Sequence, residues 1–264
     1  MTTMRNALSS GDTASRTLVR GLKILQLFGT QRPVLTQSQI AEALELPLPT
    51  VGRLCRALVG TGFLELRPES RRLQLGPEIR RLAAAVPQDI NVDGRRWMRA
   101  LNERFDEEVN LAILDGVHTL YLDSAPSTRR LGVRTVVGSR APAHCTAVGK
   151  SLLAQLDDRI VRDRLGPDPY EQRTDETILR WSRMREELAH IRSTGLSRSI
   201  EEFEPGLAGF AVPLGPQIAN GVQLAVSIAV PTARLQPERA REIESALLAG
   251  PHTFPLDGVD DVAE

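Results

Sequence analysis

Residues 15–76 restrict the possible folds more than any other stretch of this chain. They run through three short helical periods and then a pair of strand-like runs. In the first period Leu18, Leu22, Leu25 and Phe28 recur at three- and four-residue spacing, and Gly29 follows as a stop. Next, Thr36-Gln37-Ser38-Gln39 has the form of a capping box, in which the threonine hydroxyl accepts a backbone N–H and the glutamine reaches back. It opens a helix with Ile40, Ala41 and Leu44 facing inward. A break at Glu45-Leu46-Pro47 precedes a third helix, with Pro49 tolerated in its first turn and a buried stripe of Val51, Leu54, Leu58 and Cys55. Gly60 and Gly62 end it. Phe63-Leu64-Glu65-Leu66 and Leu73-Gln74-Leu75 then read as strands around a tip that carries Arg67, Arg71 and Arg72. Three helices and a hairpin in this order predict a winged helix-turn-helix.

The charge distribution agrees with a polyanion partner. Residues 1–89 hold 12 Lys+Arg against 7 Asp+Glu, while the remainder holds 21 against 26, so a neutral chain has a basic first third. In a helix-turn-helix the second helix of the motif enters the major groove. Its exposed face here is read as Thr50, Gly52, Arg53, Arg56 and Ala57. Arg53 is suited to a bidentate contact with guanine, Thr50 or Ala57 to a thymine methyl, and Arg56 to a phosphate. Thr36 and Gln37, at the start of the preceding helix, join this DNA-facing set, as do Arg67, Arg71 and Arg72 on the wing. The plainer alternative is that arginines on an exposed face only keep it solvated. Winged helices also serve as protein-interaction modules; the basic balance favours DNA.

After Gly76-Pro77 the pattern changes. An amphipathic segment over 79–85 reads as a linker, within 77–90 as a whole. Residues 91–250 then alternate helices and strands: a helix near 95–105, a hairpin of 109–114 and 117–122 turned by Asp115-Gly116, a strand over 131–137, and a helix through 149–156. A long amphipathic helix marked by Ile178, Trp181, Met184, Leu188 and Ile191 follows, then strands at 210–214 and 222–230 and a helix after Pro237. The fold class is α+β, with a mainly antiparallel sheet in the second domain. The ends, 1–14 and 251–264, read as flexible tails. No run approaches the ~18 apolar residues of a membrane span, and the N-terminus lacks the apolar core of a signal peptide, so a cytoplasmic protein is expected. Two cysteines, Cys55 and Cys145, cannot build a disulfide framework or a four-ligand zinc site.

An ordered series of short motifs resembles the IclR family of bacterial transcriptional regulators. In the first domain these are Ile40-Ala41, Leu46-Pro47, Thr50-Val51, Arg53-Leu54, Leu58, Gly62-Phe63-Leu64, Leu73 and Leu75-Gly76. The series continues with Pro142, His144-Cys145-Thr146-Ala147, Gly149-Lys150, Leu152-Leu153-Ala154, Thr174, Thr177, Gly195, Glu201-Glu202, Gly206, Ala211 and Pro213. The resemblance covers roughly residues 15–232 and implies a GAF-like effector-binding domain. It also implies a homodimer or homotetramer on a double-stranded, palindromic or repeated DNA operator, with affinity altered by a small molecule. The chain departs from the family pattern at Leu48 and Pro49, at Gly52, and at Glu45, where glycine is commoner.

The loop from Gly138 to Thr146 is expected over the effector pocket, its glycine and prolines letting backbone N–H groups face a ligand anion, with Ala143, His144 and Cys145 lining the pocket or else serving as structural residues. The resemblance adds Ser199, Gly209, Ser227 and Ala229. Relatives that bind small 2-oxo acids share the serine at Ser227 but carry an acidic residue at Ser199, a cysteine at Gly209 and a serine at Ala229. Without those partners a small carboxylate is poorly hydrogen-bonded, at ~1–3 kcal/mol per unpaired buried group. A larger, more apolar or aromatic effector is therefore expected. The alternative is a thiol-based redox sensor using Cys145, which needs a lowered thiol pKa and solvent access. Ala147-Val148-Gly149-Lys150-Ser151 imitates the end of a phosphate-binding loop, but His144 stands where its first glycine is required. The four histidines show no metal-ligand spacing, and Glu201-Glu202 reads as a solvated or loop-anchoring pair. No triad, metal motif or cofactor loop is recognisable, so neither an enzyme nor a cofactor is expected.

Overall fold

The computed structural model describes residues 13–29, 32–85, 92–130, 132–214 and 223–251. The chain divides into two compact units, Met1–Gln88 and Asp89–Glu264. The expected tails fall outside the described residues apart from Thr13, Ala14 and Pro251, as do Leu131 and Val222.

In the first unit α1 (Thr13–Gln26), α2 (Gln37–Leu44) and α3 (Leu48–Gly60) enclose Ile24, Ile40, Val51, Leu54 and Cys55. Leu64 and Leu73 complete this core from the wing, each fully buried aliphatic side chain contributing roughly 1.5–3 kcal/mol. The wing strands β2 (Leu64–Leu66) and β3 (Leu73–Leu75) pair antiparallel, and β1 (Val34–Leu35) joins the far edge of β3. The capping box forms as its sequence implies. Gln39 N–H donates to Thr36 Oγ1 at 3.2 Å, and Thr36 N–H donates to Gln39 Oε1 at 2.9 Å. Glu45 ends α2 in the left-handed region at φ 52°, the conformation that explains the family's glycine there.

The apolar face of α1 differs from its expected composition. Ile24 is fully buried, whereas Leu18 and Leu22 are 64% and 50% exposed. Helix α1 packs on its neighbours through Gly21 and Ile24, which turns the Leu18–Leu22 side outward. Beyond the wing, α4 (Pro77–Ala84) buries none of its residues within the chain.

The second unit is built on a six-stranded antiparallel sheet. Its strands are β4 (Glu108–Asp115), β5 (His118–Ala125), β6 (Arg140–Pro142), β7 (Ser197–Ile200), β8 (Leu207–Leu214) and β9 (Leu224–Pro231), in the order β6-β5-β4-β9-β8-β7. Side chains alternate between the faces. Val109, Leu111, Phe210, Ile228 and Val230 point to one side, against Trp97, Leu101 and Phe105 of α5 (Val92–Phe105) and Ile243 and Leu247 of α9 (Pro237–Ala249). On the other side Ala112, Ala211 and Ala225 form a shallow surface, against which Ala147, Val148 and Leu152 of α6 (Ala147–Leu153) pack. A further layer, α7 (Asp158–Leu165) and α8 (Trp181–Thr194), covers α6 through Val161, Met184, Leu188 and Ile191. Together the two units are the winged helix-turn-helix and the GAF-like α/β arrangement that the resemblance implies.

Two local expectations are corrected. The β4–β5 hairpin closes on the pair Asp115 and His118, so its loop residues are Gly116 and Val117, with Gly116 at φ 65° supplying the left-handed step. Residues 132–137 are not a strand. The Thr135 N–H donates to the buried Glu108 carboxylate at 2.7 Å, and the Gly138 N–H donates to Tyr121 O at 2.8 Å. The run touches β5 only at its end, through Gly138 and Ser139 on Tyr121, and the ladder proper starts at Arg140.

Candidate functional site

The first unit presents a basic surface on α3 and the wing. Arg53, Arg56 and Ala57 are exposed on α3, and Thr50 is half-buried on the same side. Thr36 and Gln37, at the start of α2, are also half-buried. Gly52 is buried, which corrects its assignment to the exposed face: a Cβ there would lie 3.3 Å from Gln37 Oε1. Its lack of a side chain brings α2 and α3 together. On the wing the Arg67 N–H donates to Arg72 O and the Arg71 N–H to Arg67 O, with Arg71 at φ 53°. The Arg67 side chain is drawn back along the wing, its Nε donating to Gln74 Oε1, while Gln74 Nε2 donates to Glu65. Arg71 and Arg72, at the tip, are exposed.

The second unit contains a cavity of about 270 Å³ between the sheet and the segments over it. Its floor consists of rows across the strands. Ser199 pairs with Gly209, Gly209 with Ala229, and Ala229 with Glu108. The next row brings Ala211, Ser227 and Asn110 together. One wall is the N-terminus of α6 with Thr146, Ala147 and Val148; the opposite wall is the irregular run 133–136, and Phe203, Glu204 and Leu207 close a third side. Ser199, Gly209, Ser227 and Ala229 thus lie on one surface, and three of them are positions where the resemblance notes a lost polar group. The Ser199 hydroxyl donates to Cys145 O at 2.8 Å. Burial pushes the Tyr121 phenol up to about 12, so it faces the cavity as a neutral hydroxyl.

Gly138, Ala143, His144 and Cys145 do not line this cavity. Residues 140–142 become an edge strand, and Ala143–Cys145 fold as a 3-10 turn whose side chains are buried elsewhere. His144 Nε2 is 2.8 Å from Glu171 O, and its ring lies 5.5 Å from that of Tyr170; burial lowers its pKa. The Cys145 thiol is 0% exposed, points to Pro142 O at 3.7 Å, and is pushed by burial up to about 12. Cys55 is also buried, with its thiol pushed up to about 11. These are the opposite of the conditions a redox-sensing thiol needs, and the Cys145 alternative is set aside.

Asn110, Tyr121, 133–136 and Phe203 also line the cavity and are absent from the expected effector set. For Asn110 and Tyr121 the signal was present: in the Asp115-Gly116 hairpin the alternation puts both on the face of Ala112, opposite the apolar face. The acidic pair separates in role. Glu201, at φ 56°, anchors its turn by accepting from Gly206 N–H and Thr232 Oγ1, whereas Glu202 is buried against Lys150. Gly149 serves packing, since a Cβ there would fall 2.3 Å from Ala143 O. Among the described residues no helix is long and apolar enough to cross a membrane.

Comparison with known proteins identifies both units. The IclR helix-turn-helix domain profile matches residues 17–68, and the bacterial transcriptional regulator IclR C-terminal profile matches 82–251. The HTH-type transcriptional regulator Rv1719 of Mycobacterium tuberculosis is 31% identical over 239 residues, covering 88% of each chain. The Pca regulon regulatory protein of Pseudomonas putida is 30% identical over 200 residues, covering 75% of this chain and 68% of that one. The crystal structure of an IclR transcriptional regulator from Alicyclobacillus acidocaldarius superimposes with a TM-score of 0.77 at 25% identity, covering 89% of this chain and 95% of that one. With two family profiles spanning most of its length and a helix-turn-helix ahead of an antiparallel α/β domain, the chain belongs to the IclR family of bacterial transcriptional regulators.

Proposed function

We propose that this regulator works in the cytoplasm as a homodimer or homotetramer on a palindromic operator, and that its effector is a metabolite more apolar or aromatic than a 2-oxo acid. The carrying observation is the cavity floor: Gly209 and Ala229 offer no polar side chain, the Ser199 hydroxyl donates to Cys145 O, and Ala147, Val148, Phe203 and Leu207 surround them. A small carboxylate set there leaves its oxygens short of donors, while an aromatic ring gains from the apolar walls.

Exposed Leu18 and Leu22 on α1 support assembly, because they form an apolar stripe that the monomer leaves open. Two-fold symmetry also suits a module in which one helix reads too few base pairs for useful specificity. Control follows if the ligand prefers one arrangement of the DNA-binding heads; equal affinity for both shifts nothing.

Calorimetry on the full chain with benzoate, glyoxylate and pyruvate tests the effector class. Saturable binding of benzoate with none of the 2-oxo acids is expected. Saturable micromolar binding of glyoxylate or pyruvate overturns it.

A further inference from the structure

The sides of the cavity are held in place to very different degrees. On the α6 side Ala147 and Val148 pack against Ala112, Ala211 and Ala225 of the sheet. The side that carries Phe203 and Glu204 is tied down at both ends. Thr174 Oγ1 donates to Glu201 O at 2.6 Å and Thr177 Oγ1 to Glu202 O at 2.7 Å, while the Thr232 N–H donates to Gly206 O at 2.8 Å. The remaining side, residues 132–137, is neither helix nor strand. Among the described residues one hydrogen bond ties it to the sheet, from the Thr135 N–H to Glu108 Oε1 at 2.7 Å.

Both ends of this run are anchored, and a glycine stands at each. On one side Ser127 Oγ donates to Asp106 O at 2.8 Å and the Thr128 N–H to Asp106 Oδ1 at 2.8 Å. On the other the Gly138 N–H donates to Tyr121 O at 2.8 Å and the Tyr121 N–H to Ser139 O at 3.2 Å. Gly132 and Gly138 bound the stretch between these anchors, residues suited to absorb the backbone rotation of a hinge. Val133 and Val136 are half-buried along the cavity, and Arg134 and Val137 are exposed, so an outward swing uncovers little apolar surface. Local opening is drawn from segments with few buried contacts and few hydrogen bonds. Glu108 itself is fixed: it is 1% exposed on β4, and its Oε1 also accepts from Ser124 Oγ at 2.7 Å.

We infer that residues 132–137 are a strap across the entrance to the cavity, and that Glu108 is the positioning residue that latches it through the Thr135 N–H. Small molecules enter when that bond opens and the strap turns about Gly132 and Gly138. The biological purpose of this route rests on the reading of the cavity as the effector site. The latch concerns access alone, so it is tested without an effector.

Ser227→Cys in the full chain puts a thiol of nearly the same shape on the buried cavity floor, and its alkylation by iodoacetamide is followed by peptide mass spectrometry. Cys55 and Cys145, both buried, report general unfolding in the same sample. In this background Glu108→Ala should label the new thiol about tenfold or more faster, with Cys145 as slow as in the parent. Thr135→Pro removes the donor instead of the acceptor and should do the same, without disturbing a buried side chain. Glu108→Gln keeps an oxygen acceptor and should stay within about threefold of the parent. Unchanged labelling in either of the first two variants overturns the inference. So does a glutamine variant as fast as the alanine one, because the accepted N–H would not then be what holds the strap. Acceleration in both Glu108→Ala and Thr135→Pro that extends to Cys145 reports general loosening and overturns it too, as does a parent that labels as fast as the urea-unfolded chain. Thr177→Val loosens the Phe203 side and should label within about threefold of the parent; acceleration there and not in Thr135→Pro would put the entrance beside Phe203. Failure of benzoate to bind bears on the effector class and leaves this result as it is.

Discussion

Lys150 Nζ lies 2.5 Å from Glu202 Oε1, and the pair joins helix α6 to the segment that carries Phe203 and Glu204 along the cavity. Lys150 is 1% exposed and also meets Glu187 Oε1 of α8 at 2.8 Å. Burial pushes the Glu202 carboxyl up to about 7 against the pull of Lys150, with Glu187 and Glu176 adding to the rise. A carboxyl raised in the folded state contributes stability below its unfolded value near 4.5 and loses it as pH climbs through about 7. Removing the amine in Lys150→Met leaves buried carboxylates without a cation, a loss of about 3–5 kcal/mol when they are charged. The loss should be smaller at pH 5.5, where Glu202 can take a proton, than at pH 8. Urea unfolding at the two pH values measures it; a loss independent of pH would mean that Glu202 stays charged throughout.

Gly149 and Gly52 both sit where helices press against other parts of the chain, but their neighbours differ. At Gly149 an added methyl meets Ala143 O at 2.3 Å and Ala143 Cα at 2.4 Å, backbone that cannot step aside. Gly149→Ala should cost about 3 kcal/mol or more. At Gly52 the obstacle is the end of the Gln37 side chain at 3.3 Å, which can swing away, and alanine is the better helix former by roughly 1 kcal/mol. Gly52→Ala should therefore leave stability within about 1 kcal/mol of the wild type. Thermal melts of both variants check the contrast, and equal losses would show that Gln37 is as immovable as the Ala143 backbone.

The winged helix was legible because its signals are local. A capping box, a first-turn proline and a glycine-bounded hairpin each act within a few residues, and the structure reproduces them at Thr36, Pro49 and Gly62. The cavity was legible where family likeness marked its floor, at Ser199, Gly209, Ser227 and Ala229, and in the hairpin alternation that turns Asn110 and Tyr121 to the same face. The remaining walls depend on long-range choices that spacing does not encode. The 132–137 run has the apolar residues of a strand, yet its Thr135 N–H donates to the distant Glu108 carboxylate instead of to a strand carbonyl. Likewise nothing in Gly149-Lys150 or Glu201-Glu202 announces that Lys150 and Glu202 meet inside the protein.

Cys145 supplies a test of burial over reactivity. With its thiol enclosed and pushed up to about 12, the native protein should react with a thiol reagent far more slowly than the urea-unfolded chain. Cys145→Ser should leave operator binding insensitive to peroxide, as in the wild type, and cost about 1–3 kcal/mol for placing a hydroxyl in that site. Peroxide-dependent loss of DNA binding that disappears in Cys145→Ser would restore the redox alternative.

Arg53 and Arg71 should separate sequence reading from backbone grip. Arg53 is exposed on α3, one turn beyond the half-buried Thr50, which suits it to base edges in the major groove. Arg71 projects from the wing tip on a left-handed residue, where a phosphate is the nearer partner. Arg53→Ala should relax preference at one base pair by ~1–3 kcal/mol, leaving other positions as selective as before. Arg71→Ala should weaken all sequences alike and reduce the salt slope of binding by about one. Both follow from gel-shift or anisotropy titrations on an operator and its single-base variants across a range of salt. Because the two arginines sit on different elements, their effects should add in the double variant; identical behaviour of the single variants would mean that α3 does not present Arg53 to the bases.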